Sequence, residues 1–195
     1  MAGIRAPTLA CALLLAHAGC SEPRTPDGEL PARIAPLVHH VRQARARADS
    51  IDRWADAMPA AERTLDGVPV AMTGEGLWSD FRVLDGPGGV PWRTTETLGS
   101  ESGDWTVTVV HWFGADGYTV LADVHAIALN SGCVPTIVGI RRIVFDAVGR
   151  PLHEERNVTD DEGRTVELAG CYFDYLDGPE PYPSYEALRR ARTGG

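Results

Sequence analysis

From Ala32 to Leu65 the apolar positions recur at three- and four-residue steps: Ile34, Leu37, Val38, Val41, Ala44, Ala48, Ile51, Ala55 and Met58. That spacing lines one side of an α-helix. Arg42, Arg45, Arg47, Asp49, Asp52, Arg53 and Asp56 fall mostly elsewhere around it. Pro36 suits a first helical turn, where its missing N–H costs nothing, and Pro59 predicts an end or kink near Met58. A lone apolar stripe has to be buried against something, so this helix is expected to pack on the domain that follows.

From Gly76 the period shortens to two. Strands are predicted over 78–84, 92–98, 105–113, 118–129, 136–145 and 151–157, separated by turn signals such as Asp85-Gly86-Pro87-Gly88-Gly89 and Asp146-Ala147-Val148-Gly149. Short connections between such strands argue an antiparallel meander. The stretch 165–175 also reads as extended, and Ser184 to Arg192 as a short helix capped by Ser184. The expected fold class is α+β. A long N-terminal amphipathic helix (32–65) packs on an antiparallel β-meander sheet, in one globular unit with 76–195, and a short C-terminal helix follows.

The hairpin around Asp116 gives a finer expectation. With an even-numbered loop, Trp105, Val107, Val109, His111 and Phe113 share a face with Tyr118, Val120, Ala122 and Val124. That face is almost wholly apolar and is expected to lie under the helix. Thr106, Thr108, Val110 and Trp112 join Thr119, Leu121, Asp123 and His125 on the other, wetter face. On this register Trp112 is the expected exposed aromatic, and His111 a core histidine bonded to a carbonyl. Trp78, Trp92 and Trp105 are expected in the core.

Composition narrows the chemistry. The 195 residues include 18 basic and 27 acidic side chains, all the basic ones Arg, for a net charge of -9. Without Lys there is no Schiff base and no phosphate-loop Lys. An acidic chain is a poor partner for nucleic acid. The charge is uneven: six Arg face four acids between Arg33 and Arg63, and ten Arg face 20 acids from Thr64 onward.

The N-terminus carries the clearest motif. Arg5 precedes the apolar run Leu9 to Ala16, too short for a span of roughly 20 helical residues, and small residues follow. This reads as an export signal over 1–19. Ala16-His17-Ala18 fits ordinary cleavage. Ala18-Gly19-Cys20 instead resembles the lipobox of bacterial lipoproteins, with His17 where that motif has a Leu-like residue. Lipidation of Cys20 leaves Cys133 and Cys171 as an even pair for a disulfide in an oxidising compartment. The loop-entropy model gives such a bridge about 3 to 4 kcal/mol. Ser21 to Pro31 is polar and Pro-rich, and with Cys20 forms a flexible tether over 20–31.

Together with the turn phrases Phe145-Asp146-Ala147-Val148-Gly149-Arg150 and Phe113-Gly114-Ala115-Asp116-Gly117-Tyr118, these features resemble uncharacterised bacterial envelope lipoproteins. The resemblance implies a lipid anchor in the cell envelope, with Ser21 after the Cys pointing to the outer membrane; a soluble periplasmic or secreted protein is the alternative.

No coherent catalytic set emerges. There is no GxSxG elbow and no HExxH. His39 and His40 point about 100° apart on a helix and cannot chelate together. No metal or cofactor is expected. His125 and Asp123 stand two residues apart on one strand face, the one pair that suggests a hydrolase. Tyr172, Asp174, Tyr175 and Asp177 form an acidic, Tyr-rich strip that is either suited to a cationic partner or a carbohydrate, or part of a C-terminal segment that wraps the sheet and buries its aromatics. The expected function is therefore non-enzymatic: a membrane-anchored envelope lipoprotein with a binding or structural role and a protein partner in the envelope. The alternatives are a module holding a small or amphipathic ligand between helix and sheet, and an acidic inhibitor of a cationic hydrolase.

Overall fold

The computed structural model describes residues 35–65 and 76–193. The signal, Cys20, the tether and the predicted helix start at 32–34 lie outside the described residues. Helix α1 spans Ala35–Ala57, with Pro36 in its first turn. A 3-10 turn over Pro59–Ala61 follows it. The chain then forms β1 (Glu62–Thr64), where the sequence pattern continued the helix to Leu65. Six further strands follow: β2 (Leu77–Asp85), β3 (Pro91–Ser100), β4 (Trp105–Phe113), β5 (Thr119–Leu129), β6 (Thr136–Phe145) and β7 (Pro151–Thr159). Helix α2 (Tyr185–Thr193) closes the described chain.

The seven strands form one antiparallel sheet in sequence order, a continuous meander. Each tight turn uses the backbone freedom of Gly. At Gly117 and Gly149, for example, φ is +80° and +78°, which places Gly where a side chain would strain the turn. The fold is α+β, as the pattern predicts.

Which face each helix covers differs from expectation. α1 buries Ala44, Ala48, Ile51 and Ala55 against Leu84, Trp112, Leu121 and Val144. These belong to the mixed face, not to the face of Val107 and Val109. The small Ala side chains let the helix axis come down onto bulky Trp112 and Leu121. The Val-rich face is covered instead by the C-terminal segment: Phe173 and Leu176 pack on Val107, Val109, Val124 and Ile137. Leu188 of α2, with Tyr182 and Tyr185, packs on Phe81, Val83 and Phe113. Each face is thus covered in part, the α1 face near one end of the strands, and alternation along β4 marks only the more apolar one.

Trp112 is 7% exposed, which overturns its expected exposure. The exposed indole is that of Trp78, at 42%. A register shift between Trp112 and Phe113 pairs Phe113 with Thr119. It turns Thr119 onto the Val-rich face, fully buried, and Val120 toward α1. The stretch 165–175 is mostly irregular rather than a strand, with a single bridge between Thr159 and Thr165. The Cys133–Cys171 disulfide is present, with a Cα–Cα distance of 5.2 Å, and pins that run beside the loop after β5. Ser184 caps α2 as expected, its Oγ accepting from the Ala187 N–H at 3.2 Å.

His111 is buried, and its Nε2 accepts the Tyr182 N–H at 3.0 Å while Nδ1 faces Thr94 Oγ1, where a bond to a carbonyl was expected. Burial pushes its pKa down to about 4 from 6.5, so the ring is neutral in the folded chain. The unfolded chain therefore binds the proton first as pH falls. Stability is complete above about pH 6.5 and is lost progressively toward pH 4, by about 3 kcal/mol. Urea titrations across this range should show that slope in the wild type. His111→Gln, which keeps a neutral acceptor, should flatten it; an equal slope in both proteins would remove His111 as the cause.

Candidate functional site

α1 crosses the sheet from β7 toward β3 near one end of the strands. His40 Nε2 lies 2.6 Å from Phe145 O; Arg45 donates to both Glu155 oxygens at 2.6 Å. Asp52 Oδ1 accepts from Trp112 Nε1 at 2.9 Å and from Arg93 Nη1 at 2.7 Å. Beside these contacts a cleft of about 470 Å³ opens between helix and sheet. Its main polar lining is Arg45, Asp49 and Asp52 from α1, with Arg93, Asp123 and Arg142 from the sheet. His125 and Trp112 complete the walls that matter here.

Strand register builds the centre of this cleft. Asp123 of β5 stands directly opposite Arg142 of β6, and Arg142 opposite Glu155 of β7. Directly opposed side chains on one face meet. Arg142 grips Asp123 as a fork, Nε to Oδ1 at 2.8 Å and Nη2 to Oδ2 at 2.5 Å. Burial alone would raise the Asp123 pKa. The Arg142 fork, supported by His125, outweighs it and holds the carboxyl below its usual range. His125 Nε2 lies 3.5 Å from Asp123 Oδ2, so the sequence-predicted pair does meet, inside one cleft. Arg93 is held between Asp52 and Glu62, at 2.7 and 2.8 Å, and these two carboxylates outweigh burial to raise its pKa.

Trp112 belongs to this site as a buried wall rather than as an exposed platform. Arg45, Asp52, Arg93 and Arg142 are absent from the sequence expectation. The signal for Arg142 was present: carrying the β4–β5 register one strand further puts an Arg opposite Asp123.

The Tyr-rich strip is elsewhere and does not act as one surface. Tyr172 is 81% exposed, with its ring about 3 Å from where a Gly132 Cβ would stand. Tyr175 instead stacks on Trp105 at 5.0 Å between centroids. Asp177 pairs with Arg156 at 2.6 Å; Asp174 is exposed. Phe173 points inward. Among the described residues no three His, Cys, Asp or Glu side chains gather as a metal-ligand set, and no helix is long and apolar enough to cross a membrane.

Compared with known proteins, the chain matches no family model, no curated protein and no solved structure.

Proposed function

We propose that this chain is a non-enzymatic binding protein of the bacterial envelope, exported by its N-terminal signal and lipid-anchored at Cys20, whose ligand site is the cleft between α1 and the sheet. The carrying observation is the cleft itself, about 470 Å³ with charged groups on both walls held in place by one another. Side chains fixed by ion pairs lose little freedom when a ligand arrives, which favours binding. The ligand is small and polar, because the lining is charged. An amphipathic ligand would need an apolar pocket, which a roomy space at His111 and Tyr118 would have offered; His111 is instead sealed among Thr94, Phe113 and Tyr182.

The test passes the low-mass fraction of an envelope extract over the immobilised full chain and identifies what is retained. Asp49→Arg, at the exposed rim of the cleft, should abolish retention. Equal retention by both proteins would sink the cleft reading, and a native protein with unmodified Cys20 would separately sink the anchor.

A second reading rests on the 3.5 Å contact of His125 with Asp123. It makes His125 a general base acting on bound water in the cleft. Loss of an ester hydrolysis rate in His125→Ala, with ligand retention intact, would favour it over pure binding.

A further inference from the structure

The half of the sheet that α1 leaves open carries a second, differently built surface. Its two rows follow from the strand register. One runs Trp78, Gly99, Thr106, Ile127 and Val138 across β2 to β6. The next runs Thr97, Thr108, His125, Ile140 and Asn157 across β3 to β7. Apart from Gly99, which lies under the Trp78 ring, every one of these residues is at least partly exposed. Neither row holds an Arg or an acid beyond Asp80 at the rim, which is tied to Arg82 at 2.6 Å.

Trp78 sets the character of the strip. Its indole overlies Gly99, where a Cβ would stand 2.7 Å from the ring, and its Nε1–H donates to Ser100 O at 3.2 Å. The ring is thus laid down on the sheet and held, with much of its surface open to solvent. Beside it the Thr97 and Thr108 hydroxyls meet at 3.2 Å, and each keeps hydrogen-bonding capacity for another partner. Thr106, His125 and Asn157 add further polar groups.

We propose that this strip binds a neutral oligosaccharide. A pyranose ring has an apolar C–H face and a rim of hydroxyls. The first fits the negative face of an indole and the Ile127, Val138 and Ile140 floor, and the second fits the Thr, His and Asn groups. The absence of charge selects against ionic partners. Size selects against a second copy of this chain: two rows of five strand positions each cover about 330 Å², from strand spacings of ~4.8 Å and row spacings of ~6.8 Å. A stable protein interface needs about 800 Å² per partner. The strip adjoins the cleft at His125, so a saccharide bound here would lie beside that site without requiring it.

Calorimetric titration of the full chain with cellotetraose, chitotetraose and maltotetraose tests this. Saturable binding of at least one, with Kd of about 0.1 to 1 mM, is expected. Trp78→Ala should weaken it about tenfold or more. Gly99→Ala, which keeps Trp78 but displaces its ring, should also weaken it, whereas Tyr172→Ala should not. Circular dichroism confirms that each variant is folded. Binding of none of the three sugars, or binding that survives both Trp78→Ala and Gly99→Ala, overturns the proposal. So does sedimentation showing a dimer that Ile127→Asp dissociates, since the strip would then be covered by a second copy.

Discussion

Replacing Arg192 with Ala is expected to lower the free energy of unfolding by about 3 to 5 kcal/mol, the cost of removing one partner from a buried ion pair. Arg192 Nη1 donates to Glu96 Oε1 at 3.2 Å, with side chains only 8% and 4% exposed. The guanidinium also lies 3.7 Å over the Phe81 ring. Burial outweighs the attraction of Glu96 and holds the Arg192 pKa below its ordinary value, a sign that desolvation is costly here. Removing the cation takes one partner from a carboxylate buried deep under α2. The pair is therefore better understood as fixing where α2 lies than as adding net stability. A double replacement, Arg192→Met with Glu96→Leu, distinguishes the two views. It should recover most of the loss in urea unfolding while the single variant does not. Equal losses in single and double variants would instead make the pair a net stabiliser.

That buried pair also marks a boundary of what sequence can show. The three- and four-residue spacing of Ala44, Ala48, Ile51 and Ala55 located α1 and Pro59 marked its end, but the pattern ran on to Leu65, where β1 stands instead. Two-residue alternation bounded by Gly turns placed six strands. The pattern cannot say which face a helix covers when both faces are apolar at one end. Trp112 and Leu121 read as the wetter face because Asp123 and His125 share their strand positions, yet α1 buries the first two and leaves His125 open. The register shift after Trp112 likewise has no mark in composition, and it reverses Thr119 and Val120. β1 was lost because Glu62-Arg63-Thr64 is short and polar. The stretch 165–175 reads as a strand because it mixes apolar and polar residues, yet it is irregular chain tied by the disulfide, with Phe173 reaching inward and Leu168 and Tyr172 exposed.

The candidate site was half legible. Asp123 and His125 come from one strand, where a spacing of two is visible. Arg93 and Arg142 come from strands whose pairing has to be known, and Asp52 from a helix whose docking face was assigned to the other side. A charged residue inside a strand was the available signal. Glu96 and Arg141 carry it as well, on the opposite face, where Arg141 donates to the Leu176 and Pro179 carbonyls, each at 3.3 Å.

Removing the disulfide with Cys133→Ser and Cys171→Ser should cost about 4 kcal/mol, the loop-closure value for 38 residues. The consequence is local as well as global. The segment after Cys171 delivers Phe173 and Leu176 onto the Val-rich face, and brings Tyr175 onto Trp105. Gly139 lacks a Cβ at the point where Phe173 and Leu176 sit, within 2.8 Å of where one would stand, so these side chains press directly on the β6 backbone. Loosening their anchor should expose Trp105 before the helix side of the sheet is disturbed. Trp105 is then the residue to watch, through its indole N–H resonance during denaturant titration. In the disulfide-free protein it should change at lower denaturant than the indole of Trp112, which Asp52 and α1 hold on the other face. Two indoles that change together, at a midpoint near the wild-type value, would mean that Phe173 and Leu176 hold the C-terminal cover without the bridge.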